Sequence, residues 1–243
     1  MLLNCITHFL NFISNDYSNT LFNLGDLDHS LNVMAERQYP QNFPHQDLWT
    51  KTDAIIKWIS VLERFQELYP DNGVKVVDLG CARGCVPHII DSWGNDVTGV
   101  DTPVCGGRLD HDCEGSNVKM VNSNAFDWFP TVEDESIDVF IDLCAYAHFC
   151  GPSGVCPDGE QQFTKIFREI NRCLKPGGHV IISSDVNMNT DVGEFMRPSA
   201  IIALAREQGL SLVGRWTNRK KNLFNVPNFS YLNVCRLTFV KNA

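Results

Sequence analysis

The sequence predicts an open α/β sheet of seven strands, mostly parallel, with helices on both faces, an antiparallel last strand and a helical extension at the N-terminus. Three observations carry this reading. From Val74 onward, short apolar runs alternate with amphipathic helical stretches, the order that produces parallel strands joined by crossover helices. A glycine turn, Gly80 to Gly84, follows the first of these runs and opens a helix. The last two runs are joined by a loop instead of a helix, which suits an antiparallel pair at the sheet edge.

Before the sheet, Leu2, Leu3, Ile6, Phe9, Leu10 and Ile13 recur at helical spacing. The stripe suits docking on the body of the protein or pairing two copies as a homodimer. Its polar face lacks the lysines and arginines of a membrane-surface helix. Asn15 to Thr50 reads as irregular. A helix is expected over Thr52 to Leu68, with Ile55, Ile56, Ile59, Leu62, Phe65 and Leu68 on one face, ended by Pro70 and Asp71-Asn72-Gly73. Residues 1–70 thus form an extension that covers an acceptor site, and 71–243 one compact unit. Strands are expected at Val74 to Leu79, Asp96 to Asp101, Val118 to Asn122, Ile137 to Ala145, His179 to Ser184, Leu210 to Trp216 and Leu232 to Val240. Helices fall at Cys85 to Trp93, at Gln161 to Leu174 (stopped by Pro176-Gly177-Gly178) and at Pro198 to Gln208.

A chain of 243 residues, 44% apolar and 20% charged, buries one full core. A net charge of −9 and the lack of a basic face exclude nucleic acid as a natural partner. No apolar run approaches the roughly 20 residues of a membrane span, and Met1 to Ser14 lacks the basic region and cleavage site of a secretory signal. The ten cysteines include no Cys-x-x-Cys pair. Cys81 and Cys85 at a glycine turn, Cys144 in a strand and Cys173 in a helix read as small buried thiols in a reducing, cytoplasmic compartment. Cys105, His111 and Cys113 lack a fourth ligand, and Asp185, Asn187, Asn189 and Asp191 read first as turn caps, with Mg²⁺ or sugar hydroxyls as the alternative for their oxygens, so no metal ligand is assigned.

Ligands of such sheets sit beyond the carboxyl ends of the strands. The first strand ends Val76-Val77-Asp78-Leu79-Gly80-Cys81-Ala82-Arg83-Gly84. Gly80 and Gly84 bring a ligand against main-chain N–H groups. Asp78 decides what kind of ligand: a carboxylate here repels a pyrophosphate and suits a phosphate-free ligand with an ammonium and a sulfonium. A nicotinamide-dependent oxidoreductase therefore ranks low. Asp101, followed by Thr102, ends the second strand, where an acid can cap a turn or accept hydrogen bonds from ribose hydroxyls. After the third strand, Asn124 could pair with an adenine edge, with Ala125 beside it and Phe126 against its face.

With Val-Asp-Leu-Gly-Cys-Ala-Arg-Gly, the acidic end of strand two, Asn124-Ala125, Ser136-Ile137-Asp138-Val139 and Phe167-Arg168-Glu169-Ile170 leading to Leu174-Lys175-Pro176-Gly177-Gly178, the chain resembles class I S-adenosylmethionine (SAM)-dependent methyltransferases from about Val74 to Val240. The resemblance implies a Rossmann-like sheet and SAM as cofactor. It places Asp78, Gly80 and Gly84 around the methionine part, Asp101 at the ribose and Asn124 with Ala125 at the adenine; Cys81, Ala82, Thr102 and Phe126 count with them as expected cofactor-binding residues. Two positions depart from the family pattern: Ala82 stands for the middle glycine and Asn124 for an acid.

Strand four runs into Asp142-Leu143-Cys144-Ala145-Tyr146-Ala147-His148-Phe149 after the switch point. His148 is the candidate general base for a hydroxyl acceptor, with Asp142, beside the cofactor, or Tyr146 orienting ring or acceptor. The alternative is a histidine that packs or bonds a loop. Cys150 to Gly159 is a Gly/Pro-rich insertion, either an acceptor lid or a connector. A weaker resemblance to methyltransferases of glycan synthesis points to O-methylation of a sugar or another small hydroxylated acceptor. The rivals are N-methylation of a small amine and a non-catalytic SAM-fold protein that binds a partner through its N-terminal stripe.

Overall fold

In the computed structural model, residues 60–81, 85–102, 117–143, 145, 146, 149, 155–187, 189, 196–215, 217–220 and 232–242 are described. The N-terminal stripe therefore lies outside the described residues, as do Ala82, Gly84 and His148. The elements are α1 (60–68), β1 (Lys75–Leu79), α2 (Cys85–Ser92), β2 (Asp96–Asp101), β3 (Lys119–Asn122), α3 (Ala125–Trp128), β4 (Ile137–Asp142), α4 (Gln162–Cys173), β5 (Leu174–Asn187), α5 (Pro198–Glu207), β6 (Leu210–Leu212), β7 (Thr217–Lys220) and β8 (Leu232–Lys241).

The strands lie in the order β3-β2-β1-β4-β5-β8-β6, and β7 also pairs with β8. The chain steps outward from β1 to β3, then returns to the other side of β1 with β4. The switch point falls between β1 and β4. Strands β1 to β5 are parallel, and β8 inserts antiparallel between β5 and the edge.

Burial on both faces follows from the near-continuous apolar strands. Val77, Leu79 and Phe140 face one layer with Phe163, Ile166, Phe167 and Ile170 of α4. Val76, Val139 and Ile141 face the other layer with Val61, Leu62 and Phe65 of α1 and Val86, Ile89 and Ile90 of α2. In α4, the 3–4 spacing of Phe163, Ile166, Phe167, Ile170 and Cys173 puts every large apolar side chain on the sheet.

Three details differ from the sequence reading. Lys175-Pro176-Gly177-Gly178 does not separate helix from strand, because β5 already begins at Leu174. Ile137 pairs with Leu174 but Val139 with His179, so the Pro-Gly-Gly residues form a bulge within the strand. The run expected as one edge strand, Leu210 to Trp216, is broken instead. Leu212 pairs with Phe239 and Thr217 with Arg236, a slip of two residues that accompanies Gly214 at φ 72°. Finally, the thiols are not uniform. Cys81, Cys173 and Cys235 carry no disulfide, yet buried Cys156 is disulfide-bonded, its partner lying outside the described residues. Placement within strands and helices bears on the first three and says nothing of cysteines in the insertion.

Arg172, in the last turn of α4, locks the far end of the sheet. Its guanidinium donates to the Phe129 carbonyl at 2.7 Å, the Val132 carbonyl at 2.9 Å and Glu169 at 3.0 Å, and pairs with Asp134; the Asp134 bond above all makes Arg172 hold its proton more tightly than usual. Arg172→Met keeps the stem and strands two backbone acceptors. It should lower stability by about 2 kcal/mol, the scale of charge-assisted hydrogen bonds partly replaced by water. Urea unfolding monitored by tryptophan fluorescence reads the loss, with SAM affinity unchanged.

Candidate active site

Parallel strands deliver their carboxyl ends to one edge, and that edge gathers most of the expected site residues. Val100 lies beside Leu79, Asp142 beside Leu79 on the other side, and Asn122 beside Asp101. Gly80 leaves β1 at φ 72°, a conformation that L side chains rarely adopt. Its N–H and that of Cys81 both donate to the Val100 carbonyl, at 2.7 and 3.3 Å. A Cβ on Gly80 would stand 1.9 Å from that of Ala145 in the turn after β4. Behind it, a Cβ on Gly99 would stand 2.8 Å from Cys81 Sγ and 2.9 Å from Met120 Sδ. Glycine at 80 and 99 is what lets this turn press between its neighbours.

Asp78 is only 1% exposed, and neither carboxyl oxygen has a hydrogen-bond partner. Burial first, and then the neighbouring Asp101 charge, hold its carboxyl well above the usual range. Asp101 accepts the Thr102 N–H at 2.6 Å on Oδ1, and its carbonyl accepts Ser123 N–H at 2.8 Å. By strand alternation, Asp78 and Asp101 lie on the α1/α2 side of the sheet, with Val76, Val97 and Gly99.

Asp142 lies on the other side, with Leu79, Phe140 and Tyr146. Both of its oxygens are engaged: Oδ1 accepts Ala145 N–H and Oδ2 accepts Tyr146 N–H, each at 2.9 Å. That carboxylate ends β4 three residues earlier than its apolar run suggests and holds the turn against Gly80. Tyr146 is buried, its ring edge-on to Phe163 at 4.8 Å.

Asn124 caps α3. Its Oδ1 accepts Phe126 N–H at 2.9 Å, which leaves the amide nitrogen for any ligand edge beside it. Ala125 is buried in the core. The Phe126 ring meets Phe149 edge-on at 6.0 Å, and Lys165 of α4 stands over it at 4.9 Å. Lys165 also pairs with Asp158, and Arg168 with Glu160, which anchors the end of the insertion to α4. Sequence reasoning missed this grouping. Its one trace was the acids Asp158 and Glu160 standing a turn or two before two cations on the same helical face.

The fit to SAM can be judged from these residues. An enclosed carboxylate without a donor awaits a cation, and the Gly80 turn offers backbone where a side chain would intrude. No pyrophosphate cradle of basic side chains accompanies them among the described residues of β1 to β4; Lys75 and Lys119 stand at the opposite strand ends.

A family model described as a methyltransferase domain matches residues 77–182, from within β1 to within β5 and thus across every strand end just described. This stretch carries a methyltransferase domain, and match and fold together support a class I SAM-dependent methyltransferase. Among curated relatives, the ubiquinone biosynthesis O-methyltransferase of Pseudomonas aeruginosa is 23% identical over 218 residues, covering 78% of this methyltransferase and 86% of the relative. Among solved structures, the SAM-dependent methyltransferase of Mesorhizobium loti aligns with a TM-score of 0.54 at 12% identity, over 75% of this chain and 98% of that one. The [4+2]-cyclase SpnF aligns with 0.59 at 14%, over 90% and 93%. These two likenesses concern the fold. A methyltransferase domain on this fold implies SAM as the cofactor. Among the described residues no helix is long and apolar enough to cross a membrane.

Proposed function

We propose that this methyltransferase methylates a hydroxyl oxygen of a small acceptor, with phenols and sugars as the classes to screen. The observation that supports the hydroxyl is the O-methyltransferase named above, alignable over 78% of the chain. Its name belongs to ubiquinone biosynthesis, which puts phenols ahead of the sugar that the weaker sequence resemblance favoured.

When bound, SAM supplies a methyl group on a sulfonium, open to in-line displacement. Asp78 faces the cationic part, with Gly80 and Cys81 giving it backbone to lie on; Asp101 and Thr102 hold the ribose; and Asn124 with Phe126 borders the adenine. Asp142 fixes the turn after β4, from which the chain continues through Tyr146 to His148. In this reading His148 takes the proton from the hydroxyl, and residues 1–70 cover the acceptor.

His148→Ala should lower kcat on a hydroxyl acceptor by about 10²–10⁴-fold, the usual contribution of a positioned base, with SAM affinity unchanged. Steady-state kinetics beside calorimetry separates the two. Near-normal turnover would remove His148 from the mechanism. A rate that falls below the acceptor's own pKa in wild type and variant alike would point to an amine instead.

A further inference from the structure

Two carboxylates on adjacent strands share one face of the sheet here, and their surroundings differ in a way that decides which is charged. Asp101 Oδ1 is met by the Thr102 N–H at 2.6 Å, a bond that favours the ionised form. Asp78 is enclosed, and no donor meets either oxygen. Two like charges this close in a poorly solvated place do not both form readily.

Among the described residues no other group relieves Asp78. On β2 the facing acid is Asp101; on β4 it is Asp142, on the opposite face, with both oxygens engaged. On α2, which packs over β1, the titratable groups among the described side chains are His88, buried, and Asp91, which accepts the Asn117 N–H. On α1 they are Glu63, Arg64 and Glu67, and Arg64 is paired to Glu67 and donates to Thr238. Thr238 follows Ile181 and Ile141 in the register that runs from Asp78, three strand spacings away. That is roughly 14 Å, far outside hydrogen-bond or ion-pair reach.

We infer that Asp78 carries a proton in the cofactor-free enzyme and releases it to solvent when the cationic end of SAM docks beside it, so that cofactor capture is coupled to proton release. The carboxyl O–H bond breaks heterolytically, the electron pair stays on Asp78, and the proton goes to water or buffer. The neutral acid spares the empty site a buried charge, and the arriving cation supplies the partner that makes the charge stable. The inference rests on the SAM reading of this site and adds the protonation state on which binding acts.

Its sign in stability is fixed. A folded-state value raised above the unfolded one, about 3.9, gives stability that is full below that value and is lost as pH rises through the folded one. Asp78→Asn should therefore gain on wild type as pH rises, and saturating SAM should reverse the order.

The experiment is a calorimetric titration of the full chain with SAM at pH 7 in phosphate and in Tris, buffers whose ionisation enthalpies differ widely. The wild-type enthalpy should differ between them by the amount one released proton requires. Asp78→Asn should show no buffer dependence and bind roughly a hundredfold or more weakly, the loss seen when one partner of a desolvated charge pair is removed. Infrared difference spectra of the wild type supply a second readout that needs no variant: the carbonyl band of a protonated carboxylic acid should vanish on SAM binding. Binding without buffer dependence, or without loss of that band, overturns the inference. No binding in either buffer overturns the SAM reading itself.

Discussion

Replacing Gly80 with alanine will destabilise the fold by about 2–6 kcal/mol and abolish measurable SAM binding. A non-glycine residue forced to φ 72° costs about 1–3 kcal/mol. A Cβ placed 1.9 Å from the Cβ of Ala145 adds overpacking of about 1–3 kcal/mol, because one of the two turns must move. Either movement displaces the Gly80 and Cys81 N–H groups from the Val100 carbonyl and opens the cradle at the end of β1. Gly94→Ala is the control: at φ 91°, with nothing within 4 Å of the added Cβ, it meets the backbone strain without the collision. Thermal unfolding should show Gly80→Ala losing clearly more than Gly94→Ala, by roughly 2–4 °C per kcal/mol for a chain of this size. Equal losses, with SAM affinity intact in both, would mean that the two turns do not press together as the structure has them.

That contact marks the boundary of what the residues disclose by themselves. The sheet was legible because its signals are local: a run of apolar residues, a glycine turn, a loop where a helix would otherwise stand. Asp96 to Asp101 falls where its pattern puts it, and α4 follows from the spacing of Phe163, Ile166, Phe167 and Ile170. Asp78 and Asp101 stood out as candidate site residues because each lies at the end of an apolar run beside a turn. What such runs cannot disclose is the face on which a residue lies. A strand buried on both sides has no polar alternation to read, so Asp142 resembled Asp78 in the sequence although the sheet separates them. Pro176-Gly177-Gly178 looked like a break because proline and glycine usually punctuate; here the strand carries them as a bulge. Lys165 over Phe126 joins residues from different elements, and only the packing of α4 beside α3 brings them together.

Asp142→Asn is the second large effect, and its form separates two roles for that carboxylate. If Asp142 orients the acceptor or a catalytic ring, the variant should lose kcat while Tm and SAM affinity hold. The geometry favours a different outcome. Ala145 N–H and Tyr146 N–H each have one carboxylate oxygen as acceptor, and the side chain is 2% exposed, so little water is at hand to replace either bond. Asparagine offers one oxygen and an NH₂. One buried backbone donor then faces another donor, and the remaining bond loses its charge. The expected destabilisation is about 2–4 kcal/mol, from one unsatisfied buried group and one weakened charge-assisted bond. Because Ala145 is the residue that meets Gly80, loosening this turn also loosens the wall of the cofactor cradle. SAM affinity should fall at least about tenfold, or 1.4 kcal/mol, alongside Tm. Asp142→Asn and Gly80→Ala thus disturb one contact from its two sides. Their effects on SAM binding should be less than additive in the double variant, as for residues that share a partner. Full additivity, or a loss confined to kcat, would return Asp142 to the chemistry and leave Gly80 as an independent element of the cofactor loop.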